Sequence, residues 1–157
     1  GAGGGNDVNV VGSAVSAGYA GADQAGYIQT KRQGFQRDLR AMLSGIRSRS
    51  ASARVVMLNL PNFAGLPYAA AYSLAEKRVL QQIAVGFSAE VNALRTDGVL
   101  VVDVMCDPVF YQAGTYSSDG FHPNDAGYAR MADILYPAVA TGQATAPKST
   151  CAQMTMF

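Results

Sequence analysis

Histidine is almost absent from this chain: His122 is the only one in 157 residues. One imidazole among scattered carboxylates, with no His-x-x-x-His or Cys-x-x-Cys spacing, excludes a zinc or two-metal hydrolase site, and no cofactor is expected. Charge is scarce as well. Only 15% of residues are charged and the formal net charge is +1, which leaves no field to select nucleic acid or an anionic membrane. Lys31, Arg32, Arg37, Arg40, Arg47 and Arg49 cluster, but along a predicted helix they read as a solvated face. No apolar run approaches the ~18 residues of a membrane span.

Cysteine is nearly as rare. Cys106 and Cys151 leave a reduced cytosolic pair and a single disulfide both open. If joined, they would pin the tail 141–157, which has few structure signals of its own, to the end of a predicted strand, a constraint of roughly 4 kcal/mol by loop-closure arithmetic. That inclines the reading toward a secreted or periplasmic protein. A conventional start is missing too: the chain opens Gly1-Ala2-Gly3-Gly4-Gly5-Asn6-Asp7, with no initiator Met, leader, strand or helix ahead of the glycines. The expectation is the C-terminal part of a longer domain, 1–140, followed by the tail.

What is present suits a packed domain, since 49% of residues are apolar. Val8 to Gly21 is rich in small residues and reads as a loop. Ile28, Phe35, Leu39, Met42, Leu43 and Ile46 recur at helical spacing and predict a helix from about Gln24 to Arg47. Arg54 to Leu60, rich in β-branched residues and closed by Pro61, reads as a buried strand. Asn62 to Tyr72 reads as a long loop. Ser73 and Glu76 then form a capping box for a helix with the stripe Leu80, Ile83, Phe87, Val91, Leu94, interrupted by Gly86 and ending near Gly98. Val99 to Val104 is the next buried strand, and Tyr128, Met131, Leu135 and Val139 predict a last helix capped by Asn124 or Asp125. The alternation argues for an α/β layered fold with a parallel sheet, whose chemistry gathers beyond the C-terminal strand ends.

His122 and the glycine-rich opening both fall at such ends. A neutral imidazole accepts a proton near neutral pH and works best when a carboxylate grips its other ring nitrogen, a role open to Asp119. In Gly4-Gly5-Asn6-Asp7, the glycines let backbone approach a substrate and the Asn6 amide can donate to an oxygen developing negative charge. Each stretch by itself is also ordinary turn chemistry.

Together the two stretches resemble the GDSL, or SGNH, hydrolase family of esterases and lipases. Gly4-Gly5-Asn6-Asp7 is similar to that family's Gly-x-Asn-Asp block and Asp119-Gly120-Phe121-His122 to its Asp-x-x-His block. The following run Pro123-Asn124-Asp125-Ala126-Gly127-Tyr128, the intervening elements and Asn59-Leu60-Pro61 at a strand end are similar too. The resemblance implies a three-layer α/β/α, flavodoxin-like fold with a parallel sheet, and hydrolysis of esters through a covalent acyl-enzyme. It implies His122 as general base, Asp119 as its orienting acid, Asn6 in the oxyanion hole, and Gly4 and Gly5 lining the site.

One part of the family pattern has no counterpart here. The Gly-Asp-Ser block with the nucleophile, and the glycine that supplies a second oxyanion donor, cannot be placed. No Gly-x-Ser-x-Gly elbow exists either. Ser13, Ser117 and Ser118 lack a strand-to-helix turn to expose them. The expectation is therefore a nucleophile carried by a complementing N-terminal segment, which would also hold the first two strands, and an isolated chain that is inactive. The substrate expected is a small-molecule ester, an acyl lipid or an acylated carbohydrate, with Phe63, Leu66, Tyr68, Phe110 and Tyr111 as candidates to line an acyl site. The rival reading is a non-catalytic binding module of the same fold.

Overall fold

The apolar run after Arg54 forms β1 (Val56–Leu58), and the run after Gly98 forms β2 (Leu100–Val102). They pair in parallel, with Val56 opposite Leu100 and Leu58 opposite Val102. In this computed structural model, residues 4–157 are described; Gly1, Ala2 and Gly3 of the glycine-rich opening lie outside the described residues. Helices α1 (Gly5–Ser16), α2 (Gln24–Arg49), α3 (Leu74–Ala93) and α4 (Asp125–Thr141) complete the regular structure, with short 3-10 turns in the connections.

Alternation along the strands decides the layers, because successive side chains leave opposite faces of a sheet. Met57 and Val101 pack with Leu39 and Leu43 of α2 and Val91 of α3. Val56, Leu58, Leu100 and Val102 face the other way, onto Met131, Ile134, Leu135 and Ala138 of α4. Helices therefore cover both faces, the α/β/α layering expected, around a parallel sheet that has two strands among the described residues. A third core cluster lies beyond the strand ends, where Val8 and Val11 of α1 meet Leu80, Ile83, Ala84 and Phe87 of α3 and Leu60, Phe63 and Leu66 of the loop after β1.

The predicted α3 stripe is fully inside: Leu80, Ile83, Phe87, Val91 and Leu94 are all buried. Its capping box forms as read, the Ser73 hydroxyl accepting from the Glu76 amide while the Glu76 carboxylate accepts from Ser73 N at 2.8 Å. At Gly86 a Cβ would make only ordinary van der Waals contact, so nothing nearby demands a glycine. The Arg32 side chain lies 3.4 Å from where its Cβ would sit and reaches buried Glu90, its Nε 2.5 Å from Oε1.

Four expectations need correction. Val8 to Gly21 is not a loop: its first half is α1, whose Val8, Val11 and Gly12 are buried. Two glycines and the lack of a side-chain cap hide that helix, which is stabilised by packing on α3 rather than by propensity. Met42 of the α2 stripe is 45% exposed. The α4 stripe holds in its middle, where Met131 and Leu135 pack on the sheet, but not at its ends: Gly127 and Ala138 are buried, while Tyr128 and Val139 are more than half exposed. The small residues turn inward because α4 sits close against its neighbours, as Gly127 does on the Thr115 carbonyl. The basic residues of α2 are not merely solvated, since Arg40 pairs with Asp97 at 2.8 Å and Arg47 donates to the Asp97 carbonyl.

Cys106 and Cys151 are joined, fastening the tail beside the end of β2. Beyond the bond the tail forms a 3-10 turn, Ala152–Thr155. Phe157 packs against the third cluster. No described helix is long and apolar enough to cross a membrane.

Candidate active site

Asp119 begins a turn that its own carboxylate organises. Oδ1 accepts from the amides of Phe121 at 2.9 Å and His122 at 3.0 Å, and Oδ2 meets His122 Nδ1 at 2.7 Å. The Asp-Gly-x-His spacing is what lets one carboxylate hold both the turn and the imidazole. Gly120 is required between them: its φ is +68°, and a Cβ there would lie 2.6 Å from the Tyr68 amide nitrogen. That closeness has a use, because Tyr68 N donates to the Gly120 carbonyl at 3.1 Å and ties the loop after β1 to the loop that holds His122.

Two further contacts fix the His122 loop. An isolated antiparallel bridge joins Tyr116 to Pro123, and Asn124 caps α4 by accepting from Gly127 N at 3.1 Å. The imidazole rests edge-on against Phe121, with ring centroids 4.9 Å apart. The hydrogen bond from His122, reinforced by the Phe121 and His122 amides, lowers the Asp119 pKa to about 2. Asp119 is therefore an anion throughout the range in which an imidazole titrates. With Nδ1 engaged, Nε2 is the nitrogen left to meet a substrate or a nucleophile.

Across from His122 stands the start of α1. Gly4 makes the turn into the helix with φ +102°, packed against Phe35 and Leu60, and no side chain caps the first amides. Gly4, Gly5, Asn6 and Asp7 line the same cleft of about 350 Å³ as His122. Asn6 is exposed and its side-chain amide has no protein partner among the described residues. The positive end of the helix and a free amide donor thus face a cleft that also holds an acid-braced imidazole. Residues 116 positions apart in the chain meet because both belong to loops and helix starts beyond the strand ends.

The remaining walls are mostly apolar. Phe63, Leu66 and Phe110 line the cleft as expected. Tyr68 and Tyr111 do not. The Tyr111 hydroxyl donates to the Met105 carbonyl at 2.7 Å and accepts from Asn62 N at 2.8 Å, and burial raises its pKa far above the ordinary phenol value. Tyr68 lines a neighbouring groove and donates to Asn9 Oδ1 at 2.8 Å. Burial, then Tyr72, raises its pKa as well, so it stays a neutral donor.

Asn59, at the end of β1, touches the cleft but is saturated. Its amide nitrogen donates to Asn92 and Asp103, and its oxygen accepts from the Val104 and Met105 amides. It holds the strand-end loops together and has no donor left for a substrate. Among the described residues no serine lines the cleft, and Ser13, Ser117 and Ser118 lie outside it. Ser117 Oγ donates to the Pro123 carbonyl at 3.3 Å. The sequence signal for α1 is Val8, Val11 and Val15 at i, i+3 and i+7, set among small residues that weaken it.

No curated protein matches the chain, and no solved structure does. The model of the GDSL-like lipase/acylhydrolase family matches residues 2–130, a span holding both the Asn6 helix start and the His122 turn, and the chain belongs to that family.

Proposed function

We propose that the chain supplies the base, its orienting acid and an oxyanion donor to a carboxylic-ester hydrolase that works through a serine acyl-enzyme. Family membership makes it an acylhydrolase in general terms. The observation that carries the finer reading is the 2.7 Å contact between His122 Nδ1 and Asp119 Oδ2, which leaves Nε2 available in a cleft shared with the unpartnered Asn6 amide. His122 takes the proton of a serine hydroxyl as its oxygen attacks the ester carbonyl. Asn6 donates to the oxyanion, a contact worth roughly 3 to 4 kcal/mol in the transition state. The imidazolium then returns that proton to the leaving alcohol oxygen as the acyl–oxygen bond breaks. In the second half, water loses a proton to His122 as its oxygen attacks the acyl-enzyme carbonyl, and the imidazolium returns that proton to the serine oxygen as the acyl–oxygen bond breaks, freeing the carboxylic acid and the serine hydroxyl.

The serine comes, in this reading, from a complementing segment, because the cleft lining contains none. The chain alone is then inactive. The disulfide fits an oxidising compartment, so the reading includes export from the cytosol. A binding module that keeps the cleft without a nucleophile is the second reading, favoured by the same lack of serine.

Fluorophosphonate labelling of the 157-residue chain tests the first part. No adduct is expected, and stoichiometric labelling of Ser13, Ser117 or Ser118 overturns the placement of the nucleophile. Adding a segment with a Gly-Asp-Ser strand end is expected to give turnover of p-nitrophenyl esters. His122→Ala should then lower kcat by about 10³-fold or more. A complemented chain that binds esters without turnover decides for the binding module.

A further inference from the structure

Phe121 is a wall of two spaces. One side faces the cleft of His122; the other closes a groove of about 690 Å³ between α1 and the segment entering α3. We propose that this groove holds the sugar of an O-acylated carbohydrate while its acyl group lies in the cleft, an inference that rests on the esterase reading above and names its substrate class.

The two spaces differ in chemistry. The cleft walls are dominated by side chains such as Leu58, Leu60, Phe63 and Val104, which suit an acyl chain. The groove is amphipathic. Its aromatic side is a ladder of edge-to-face rings, Phe121 to Tyr68 at 5.1 Å and Tyr68 to Tyr72 at 5.7 Å, that leads away from His122 to the surface. Its polar side is Asn9, Ser13 and Ser16 on α1, faced by Glu76.

A pyranose matches both sides at once, since one face of the ring presents C–H groups and its rim carries hydroxyls that donate and accept. Tyr72, 40% exposed, offers ring surface to the first. The second meets the hydroxyls of Ser13 and Ser16 and the carboxylate of Glu76, whose Oε2 alone is engaged by Ser73. The amide nitrogen of Asn9 adds a donor, because only its oxygen is taken by Tyr68. An alkyl chain laid in the groove would instead strip water from these groups and return no hydrogen bond, which is unfavourable at each of them.

The test is an NMR titration of the full chain with cellobiose, mono-O-acetylcellobiose and octyl acetate. Both sugars are expected to shift the ring signals of Tyr68 and Tyr72. Tyr72→Ala should weaken cellobiose binding about fivefold or more, while Tyr72→Phe, which keeps the ring, should bind nearly as the parent does. Tyr72 is exposed, so neither substitution threatens the fold. The proposal is overturned if cellobiose leaves both rings unmoved, if octyl acetate moves them in its place, or if Tyr72→Ala binds cellobiose like the parent. Hydrolysis is not read here. With a segment carrying the Gly-Asp-Ser strand end added, a chain that binds cellobiose but never cleaves an ester overturns the esterase reading alone, and one that cleaves p-nitrophenyl esters but is blind to cellobiose overturns the groove alone.

Discussion

Asn62 Nδ2 donates to the main-chain carbonyl of Gln153 at 2.8 Å, joining the loop after β1 to the C-terminal tail. Asn62 is wholly buried, and the same amide group also donates to Gln81 at 2.9 Å while its oxygen accepts from Ala64 N at 3.1 Å. The disulfide at Cys151 lies two residues before Gln153, so the covalent pin and this polar knot hold one strap. Reduction is expected to destabilise the chain by up to about 4 kcal/mol. Asn62→Ala should cost about 2 to 3 kcal/mol, because buried partners lose their hydrogen bonds. Chemical denaturation with and without reductant measures both, and hydrogen exchange should show the 152–157 amides opening first.

Asp119 should titrate near pH 2 in the folded chain rather than near its ordinary 3.8. The sign follows from linkage: a folded pKa below the unfolded one contributes stability that is present above the unfolded value and is lost as pH falls through the folded value. The window is therefore pH 4 down to 2. The carboxyl is exposed, so the effect on global stability is small. Carboxyl ¹³C shifts read the midpoint directly, and His122→Ala should move it upward, because the largest cause of the shift is removed.

Ser88 on α3 is buried and its hydroxyl has no hydrogen-bond partner among the described residues. Ser88→Ala is expected to stabilise the chain by about 1 kcal/mol, since it removes an unsatisfied polar group and adds helix propensity. Thermal denaturation should show an increase of about 2 to 4 °C. A fall in melting temperature would mean that the hydroxyl is satisfied in solution.

Gly120→Ala attacks the base loop without touching either catalytic candidate. The left-handed backbone and the 2.6 Å approach to Tyr68 N both oppose a Cβ. A loss of about 2 kcal/mol or more is expected. Ring signals of His122 should broaden or shift as the loop is displaced, which NMR can follow against the parent spectrum.

The parts of the site that could be read in advance are local ones. Asp119, Gly120 and His122 are bound by a hydrogen-bond pattern that spans three residues, and the Ser73-Glu76 box is closed in the same way. Neither depends on the rest of the chain. Helix α1 was unreadable by propensity because its stability is borrowed from α3, where Gly12 admits the Leu80 side chain. The two ends of the α4 stripe differ from the sequence pattern for a related reason. Hydrophobicity favoured Tyr128 and Val139, whereas close packing selected the smaller Gly127 and Ala138.

Residue order alone determined which local chemistry is possible here: a single imidazole with an acid one turn away, and two buried strands of apolar residues. Short-range hydrogen bonding and period-two or helical burial act within a few residues, so the linear chain contains them. Tertiary structure decided that Asn6 and His122 share a cleft, that Asn59 is consumed in bracing it, and that Phe121 stands between that cleft and an amphipathic groove. Those relations join residues far apart in the chain. They exist only once helix packing and strand pairing have set the distance between loops.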